Sequence, residues 1–481
     1  MPRPLAILLS LLVLSAAPLP AAMAASFENI ARLANEGYAV GAKAQLLDSG
    51  DVLGEIAAER QLSPASVTKL YASAAALERW GPQHRFTTRL VTTGNVDAQG
   101  ILRGDLVLEG GGDPALATED LWHLVQGLRQ QGVTAVDGTL VISQWRYGPV
   151  ECITTDRCES QVRSAHAYDA RLSSAAVNYG SWCVSVKPAV QAGLPARIVS
   201  CDTLEPATVV DNQTTTVAAG EKVRLNAERV TQEGVDTLRI KGQVPLGSVP
   251  YPVYRSSSDP ARQTGRTLLA LLEQSGVAVS GGFATGDTPP PSTARPLAAV
   301  EGKPLQELLL RTLNYSNNFM ADVLSLNLVD EPRASLAQAG QTLEAFAESL
   351  PGHGPVTLLS GSGLTTENRT SAQGVNALLE AMYRRPALFP TFVAGLQLPA
   401  NGPMRFIRRG SETFRSHVML KTGTLNEPFA VRAVGGYFRT QNGRWGSFSV
   451  LVNGNGETPY LSWSEVLDPL AEDLTAMIEA Y

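Results

Sequence analysis

The spacing of apolar and polar residues changes twice along the sequence, and this constrains the fold more than any other feature. Over residues 89–258 apolar and polar residues alternate in short runs between glycine-rich turns, as in half-buried β-strands. On either side, amphipathic helical segments stand beside strand-like segments. The pattern predicts one α/β unit made of two sequence-distant pieces, residues 25–88 and 259–481, with a β-rich insertion at 89–258.

The first residues have the features of an export signal. Arg3 gives a basic start, the apolar run LAILLSLLVL follows, and Ala22-Met23-Ala24 offers a small-residue cleavage site. We interpret residues 1–24 as a secretory signal peptide and expect a periplasmic protein with no transmembrane anchor after cleavage. The remaining chain of roughly 455 residues is too long for one hydrophobic core, which predicts two or three domains.

All four cysteines fall within the β-rich insertion. In an oxidising compartment they predict two disulfides, most simply Cys152–Cys158 and Cys183–Cys201, although four cysteines can also pair in other ways. A zinc site is the alternative, but the run CITTDRC lacks a CxxC spacing and only His166 lies nearby.

The overall charge argues against one class of partner. The net charge is −6 at pH 7, and no cluster of basic residues is visible. Binding to nucleic acid relies on basic surfaces that attract phosphates. We therefore expect no nucleic-acid partner.

A serine and a lysine open an apolar helical run near the N-terminal end. The run SPASVTKL places Pro64 in a first helical turn, which suits its fixed φ. Ser66 and Lys69 then stand one turn apart on the same face, close enough to touch. If that face points inward, the lysine is partly desolvated beside a hydroxyl, which favours a nucleophile over a simple core contact.

Two further motifs follow in the C-terminal piece. Lys421–Thr424 reads KTGT and precedes a strand-like run, as at the edge of a sheet. Ser316–Asn318 reads SNN where one helix gives way to another. A second S-x-N triplet, Ser325–Asn327, falls inside an apolar helix, so we prefer the first copy.

The ordered set S-x-x-K, S-x-N and K-T-G resembles the signature of penicillin-binding proteins and serine β-lactamases. The spacing of about 250 residues between Lys69 and Ser316 is similar to that of class C low-molecular-mass penicillin-binding proteins, the D-alanyl-D-alanine carboxypeptidase/endopeptidase family. The runs GDLVLEGGGDPAL and LLSGSGLTTENRTSA also resemble this family, although Ser360 stands where the family usually has aspartate. The resemblance covers essentially all of the mature chain.

This resemblance implies a fold class. It is an α/β serine DD-peptidase/β-lactamase-like domain, with an antiparallel sheet flanked by helices, an all-helical subdomain and a large β-rich insertion. It also implies a serine peptidase that acts on peptidoglycan stem peptides ending in D-Ala-D-Ala and needs no metal or cofactor.

The chemistry assigns roles to the first two motifs. Ser66 is the expected nucleophile, and Lys69 is the expected base, because no Ser-His-Asp arrangement is visible. Lys69 must be neutral to accept a proton, so its pKa must fall by about three units; burial and a second cation, Lys421, act in that direction. Ser316 would relay a proton to the departing amine, and Asn318 would anchor Lys69 and the substrate amide.

The third motif is expected to bind substrate. Lys421 and Thr422 would hold the terminal carboxylate, and Gly423 would let the substrate lie along the strand edge. By family resemblance, the backbone N–H groups of Ser66 and Thr424 would form the oxyanion hole.

Several alternatives stay open at this point. A β-lactam should acylate Ser66, but a β-lactamase or an esterase of the same fold, or a non-catalytic cell-wall binding protein, would share these motifs. Asp169 could bind a diaminopimelate amine or be a solvated surface residue, and we assign it no site. The balance of carboxypeptidase and endopeptidase action and the oligomeric state are not encoded in any motif that we can read.

Overall fold

The structure is a computed structural model that describes residues 26–203 and 208–481. The expected signal peptide, residues 1–24, lies outside the described residues. Within the two described ranges, no helix combines the length and the apolar character needed to cross a membrane.

The described backbone forms 21 strands. In chain order they are β1 (Ala39–Leu46), β2 (Val52–Ile56), β3 (Thr87–Thr92), β4 (Asn95–Val96), β5 (Ile101–Arg103), β6 (Leu106–Glu109), β7 (Ala135–Asp137), β8 (Leu140–Ser143), β9 (Arg163–Ser164), β10 (Ser181–Lys187), β11 (Arg197–Ser200), β12 (Val209–Val217), β13 (Arg224–Gln232), β14 (Val235–Pro245), β15 (Tyr251–Ser256), β16 (Ala278–Val279), β17 (Phe283–Gly286), β18 (Arg295–Glu301), β19 (Val418–Leu425), β20 (Val431–Arg439) and β21 (Trp445–Asn453).

Twelve α-helices lie in the same part of the chain. They are α1 (Glu28–Asn35), α2 (Lys69–Trp80), α3 (Thr118–Gln130), α4 (Thr155–Glu159), α5 (Pro260–Gln274), α6 (Leu305–Asn314), α7 (Asn318–Asn327), α8 (Leu336–Glu348), α9 (Ala372–Tyr383), α10 (Phe389–Ala394), α11 (Glu412–His417) and α12 (Trp463–Ala480).

Local sequence signals explain where the long helices begin. α5 starts at Pro260, and the side chain of Asp259 accepts a hydrogen bond from the N–H of Arg262. Such a cap satisfies a backbone donor that has no partner within the helix, and proline has no N–H to satisfy. α12 starts after Ser462, which forms a reciprocal capping pair with Glu465.

The two ends of the chain together form a central antiparallel sheet. Its strand order is β19-β20-β21-β1-β2. Hydrophobic residues of α1, α11 and α12 cover one face, and those of α2 and α9 cover the other. Because both faces are covered, β20 and β21 are buried almost along their whole length. β19 remains at the edge of the sheet.

Helix α2 is the centre of the helical layer. It packs against α6, α7, α8 and α9, and every residue of Lys69–Leu77 is buried. An apolar helix can be surrounded in this way without cost, but a lysine at its first position cannot. The fold therefore removes Lys69 from water.

The first part of the insertion contains two sheets and two helices. The sheets have strand orders β17-β8-β6-β3-β18 and β16-β7-β5-β4, and α3 and α5 share their hydrophobic core. Helix α3 lies within this β-rich stretch. Its residues Leu121, Leu124, Val125 and Leu128 are buried at helical spacing, so one face of the helix completes this core.

The packing of the chain after residue 258 bears on where the insertion ends. α5 packs on α3, β17 pairs in parallel with β8, and β18 pairs with β3. Parallel neighbours need a crossover connection, which α5 supplies for β17. The boundary at 258/259 does not match this packing, and we propose that the insertion ends near residue 301.

The second part of the insertion carries the predicted disulfides. Its sheets have strand orders β11-β10-β15 and β12-β14-β13-β9. Disulfides join Cys183 to Cys201, with 5.5 Å between their Cα atoms, and Cys152 to Cys158, with 5.3 Å. The predicted pairing is confirmed, and the described residues include no free cysteine. The zinc alternative for these cysteines is therefore wrong.

Candidate active site

Ser66 and Lys69 meet at a change of helix type. Ala65–Thr68 forms a 3₁₀ turn, and α2 begins at Lys69. In a 3₁₀ turn the side chains at positions i and i+3 eclipse each other. The turn therefore brings Lys69 Nζ to 2.7 Å from Ser66 Oγ.

Lys69 has three polar neighbours in the buried interior. Its Nζ lies 2.7 Å from Asn318 Oδ1 and 2.6 Å from the carbonyl oxygen of Ser362, besides the contact with Ser66. A neutral amine can donate two of these hydrogen bonds and accept the third from the Ser66 hydroxyl. The geometry is therefore suited to removal of the Ser66 proton.

Burial changes the acidity of Lys69. It lowers the pKa of Lys69 to about 7, against the opposing effect of the Asp322 carboxylate and with a smaller contribution from Arg157 in the same direction. Arg157 is a further cation that lowers the pKa of Lys69, and sequence reasoning did not anticipate it. Lys69 and Lys421 also repel each other, and this repulsion lowers the pKa of Lys421, after burial, which is the larger cause.

Ser316 and Lys421 form a second serine–lysine pair. Ser316 lies between α6 and α7 with φ of 56°, an uncommon conformation for a residue other than glycine. Its Oγ accepts a hydrogen bond of 2.8 Å from Lys421 Nζ, and Lys421 is fully buried. The expected relay residue therefore hydrogen-bonds to Lys421 and is not one of the three hydrogen-bond partners of Lys69.

The middle residue of the SNN motif explains how its neighbours are held. Asn317 caps α7, because its side chain accepts a hydrogen bond from the N–H of Met320. This cap fixes the start of the helix, where Asn318 donates through Nδ2 to the carbonyl oxygen of Tyr168 in the insertion. The other S-x-N triplet, Ser325–Asn327, lies within α7 and is buried.

The KTGT motif lies on the edge strand β19. Thr422 donates to Gln397 Oε1 through both its backbone N–H, at 3.1 Å, and its hydroxyl, at 2.9 Å. Thr424 Oγ1 accepts a hydrogen bond from Trp463 Nε1. These contacts hold the outer end of β19 beside Ser66.

Gly423 allows two backbones to approach closely. A Cβ atom on Gly423 would lie 2.5 Å from the carbonyl oxygen of Pro64 and 2.9 Å from the backbone nitrogen of Ser66. We expected this glycine to make room for substrate. The structure gives a different reason, because the added carbon would strike the turn that carries Ser66.

We expect Gly423→Ala to slow the reaction of Ser66 with a β-lactam by about 100-fold, because a displacement of about 1 Å has this effect in a catalytic site. The rate of covalent labelling and the thermal unfolding temperature are the measurements. Gly456→Ala is the matched control, since a Cβ atom there meets nothing within 4 Å. Equal labelling rates in wild type and Gly423→Ala would contradict this explanation.

A cleft of about 570 Å³ opens over these residues. Residues from the central sheet, the helical layer and the insertion line it: Ser66, Tyr168, Ser316, Asn318, Gly363, Leu364, Gln397, Met404, Phe406, Thr422, Thr424, Leu425, Asn426 and Glu427. Ser66, Ser316, Asn318, Thr422 and Thr424 thus face the cleft, while the two lysines lie beneath it. No group of three or more His, Cys, Asp or Glu side chains suited to a metal ion occurs in the described chain.

Sequence reasoning missed two charged residues near Lys69. Asp322 is fully buried on α7, four positions after Asn318, and Arg157 reaches it from the insertion. A lone acidic residue in the apolar run NFMADVL was a usable signal for Asp322. No local pattern marks Arg157.

Two residues without an assigned role also need comment. Ser360 donates to Asp322 Oδ1 at 3.0 Å and contacts Ser362, so it supports the segment next to Lys69. Asp169 is only 6% exposed and accepts a hydrogen bond from Ser164 Oγ. The solvated-surface interpretation of Asp169 is therefore wrong.

Known proteins resemble this chain in sequence over most of its length. The sequence profile of the D-Ala-D-Ala carboxypeptidase 3 (S13) family matches residues 23–473. A D-alanyl-D-alanine carboxypeptidase of Actinomadura sp. (strain R39) is 31% identical over 431 residues, which cover 86% of this chain and 77% of that protein.

Two solved structures share the fold. Penicillin binding protein 4 (dacB) from Haemophilus influenzae superposes with a TM-score of 0.76 at 19% identity, covering 94% of this chain and 99% of the other. Bd3459, a predatory peptidoglycan endopeptidase from Bdellovibrio bacteriovorus, gives a TM-score of 0.50 at 14% identity, covering 92% of each chain.

Proposed function

The chain belongs to the D-Ala-D-Ala carboxypeptidase 3 (S13) family, and from this membership we propose that it is a serine D-Ala-D-Ala carboxypeptidase that acts through an acyl-enzyme on Ser66. Family membership supports hydrolysis of a terminal D-Ala-D-Ala bond. The observation that carries the serine mechanism is the fully buried Lys69, whose Nζ lies 2.7 Å from Ser66 Oγ.

The first step forms the acyl-enzyme. Neutral Lys69 accepts the hydroxyl proton while Ser66 Oγ attacks the carbonyl carbon of the penultimate D-alanine. The backbone N–H groups of Ser66 and Thr424 would stabilise the resulting oxyanion. Collapse of the tetrahedral intermediate breaks the C–N bond, and the terminal D-alanine leaves after its nitrogen gains a proton.

The second serine–lysine pair suits the leaving-group side. Ser316 Oγ faces the cleft and touches Lys421, so a proton can pass from Lys421 through Ser316 to the departing nitrogen. Lys421 lies beneath the cleft. A substrate carboxylate bound beside Thr422 and Thr424 would therefore favour the charged form of Lys421. Lys421 thus acts on the carboxylate as a buried charge. The Thr424 hydroxyl, which accepts a hydrogen bond from Trp463, can donate its own proton to the carboxylate, whereas the Thr422 hydroxyl donates its proton to Gln397.

Before the second step Lys69 releases its extra proton to solvent and Lys421 regains one. Water then attacks the ester carbonyl while neutral Lys69 takes a water proton, and this proton passes to Ser66 Oγ as the ester C–O bond breaks. In a β-lactam the expelled group stays tethered to the acyl part, so it can block this water. We therefore expect penicillin to form a long-lived adduct on Ser66. Rapid turnover of penicillin without an adduct would favour the β-lactamase alternative, and cleavage of simple esters alone would favour the esterase.

Endopeptidase action on cross-linked peptides is a second candidate, because the cleft continues beyond the nucleophile. A neighbouring cleft of about 420 Å³ shares Leu364, Leu425 and Glu427 with the first. A longer substrate than a single stem peptide would fit this combined groove. The measurement is the release of monomers from a purified cross-linked muropeptide dimer. If the dimer stays intact, the protein acts as a carboxypeptidase only.

We propose that the protein works outside the cytoplasm, in the periplasm. The two disulfides are typical of an oxidising compartment. Peptidoglycan peptides are the expected substrates there.

The proposed function is tested by release of D-alanine from a peptide ending in D-Ala-D-Ala. The matched control peptide ends in D-Ala-L-Ala and should not be cleaved. Intact mass spectrometry after incubation with penicillin supplies the second readout. Neither release nor adduct would favour the non-catalytic binding protein.

The rate of acylation should depend on pH through Lys69. Because only the neutral amine accepts a proton and its pKa lies at about 7, the rate is expected to be low at pH 5 and to rise through a midpoint near 7. Labelling by a fluorescent penicillin between pH 5 and 9 measures this profile. A rate that falls as the pH rises through 7 would contradict Lys69 as the base.

A further inference from the structure

An ion pair crosses from the insertion into the helical layer. Arg157 Nη2 lies 2.6 Å from Asp322 Oδ2, and the two side chains are only 2% and 0% exposed. Arg157 belongs to α4 in the insertion, and Asp322 to α7. Two buried charges are costly unless they compensate each other, so each depends on the other.

Hydrogen bonds link the carboxylate of Asp322 to Lys69 through the short segment that contains Ser360 and Ser362. Asp322 Oδ1 accepts hydrogen bonds from the Ser362 N–H, at 2.8 Å, and from Ser360 Oγ, at 3.0 Å. The carbonyl oxygen of the same Ser362 contacts Lys69 Nζ at 2.6 Å. The orientation of Ser362, and with it one hydrogen bond of Lys69, therefore depends on Asp322.

The insertion holds Arg157 in place from its own side. Its Nε donates to the carbonyl oxygen of Ala170 at 3.1 Å. The Cys152–Cys158 disulfide closes a short loop that contains it. Arg157 thus lies in a loop closed by a disulfide, and its side chain extends from the insertion to Asp322 on α7.

We propose that Arg157 is a positioning residue of the peptidase site, which holds Asp322 and the Ser362 segment in place and sets the charge balance around Lys69. This inference rests on the function proposed above. It assigns the insertion a direct part in preparing the base, besides its contribution of Tyr168 to the cleft wall.

The charges around Lys69 support this role. Asp322 raises the pKa of Lys69, Arg157 lowers it, and burial is the largest effect. Among the described residues, Lys421 on β19 is a further charged group beside this cluster, and its own pKa is lowered by burial and by Lys69. Ser66 and Asn318 contact the amine as neutral groups. Removing either member of the ion pair should therefore move the pKa of Lys69, in opposite directions.

The decisive comparison uses two variants. Arg157→Met leaves the Asp322 charge uncompensated, so the midpoint of the acylation profile should rise by about one pH unit or more. Asp322→Asn keeps an acceptor oxygen for Ser362 but leaves Arg157 uncompensated, so the midpoint should fall, and by more than it rises in Arg157→Met, because Asp322 has the larger effect on the pKa of Lys69. Arg157→Lys keeps the positive charge and should restore the midpoint to near the wild-type value.

A matched control separates charge from disturbance of the loop. Arg229 is also fully buried in the insertion, and it donates to the carbonyl oxygen of Ser160, just beyond α4. Arg229→Gln should lower the unfolding temperature without moving the midpoint, because Arg229 does not contribute to the pKa of Lys69.

The readout is labelling by a fluorescent penicillin from pH 5 to pH 9, on the full mature chain, with unfolding temperatures measured in parallel. Opposite midpoint shifts in the two variants support the proposal. Slower labelling with unchanged midpoints would overturn it and leave Arg157 as a packing residue. If Arg157→Met does not fold, Asp322→Asn and Arg157→Lys decide by the same criterion. A wild-type protein that is never labelled would reject the proposed function itself.

Discussion

Ser66→Ala is expected to abolish formation of a penicillin adduct and to reduce release of D-alanine by about 10⁴-fold or more. The substitution removes the atom that, in the proposed mechanism, forms the covalent bond. Its Oγ lies in the cleft, 2.7 Å from Lys69 Nζ, so no neighbouring group is placed to substitute for it in the same geometry. Intact mass spectrometry and a D-alanine assay measure the two effects.

Ser73→Ala is the matched control for this result. Ser73 lies in α2, the helix that follows the turn of Ser66; it is fully buried, and its hydroxyl has no hydrogen-bond partner among the described residues. We expect this variant to keep the adduct and the activity. An adduct that persists in Ser66→Ala would show that another residue is the nucleophile.

Lys69→Met should reduce the acylation rate by about 10³-fold, in the range of a lost general base. The variant keeps an apolar stem in the buried position, so the fold is expected to survive. It also relieves the repulsion that lowers the pKa of Lys421. Stopped-flow or gel-based labelling with a β-lactam, together with the unfolding temperature, checks the prediction.

Lys69→Arg distinguishes a base from a fixed charge. Arginine keeps a positive charge but does not deprotonate in proteins, so it cannot accept the proton from Ser66. If Lys69 acts as a neutral base, this variant is as slow as Lys69→Met at every pH. Partial activity in a folded Lys69→Arg protein would instead assign Lys69 an electrostatic role.

Much of the fold could be predicted. The structural likeness to penicillin binding protein 4 confirms the expected class, an α/β serine DD-peptidase/β-lactamase-like domain with a large insertion. The pairing Cys152–Cys158 and Cys183–Cys201 is confirmed as well. The fold class was predicted from the order of three short motifs, and the disulfide pairing from the positions of the four cysteines.

The interior of the insertion was predicted less well. Helix α3 has a regular apolar face, but it lies among strands and was included with them. The boundary at residue 258 separated α5 from the core that it completes. A domain boundary depends on which core a helix packs against. An amphipathic helix such as α5 has the same sequence pattern whichever domain it joins, so the pattern alone does not place the boundary.

The sequence by itself determined which groups we propose as the reacting ones, because Ser66, Lys69, Ser316, Asn318 and the KTGT run belong to motifs whose spacing is local. Only the tertiary structure decided how these groups are tuned. It brings β19 against the turn of Ser66, seats Lys69 beside the Ser362 carbonyl, and joins Arg157 to Asp322 across 165 residues of chain. Such contacts arise from the packing of whole elements, to which each residue adds little, so no short run of sequence encodes them.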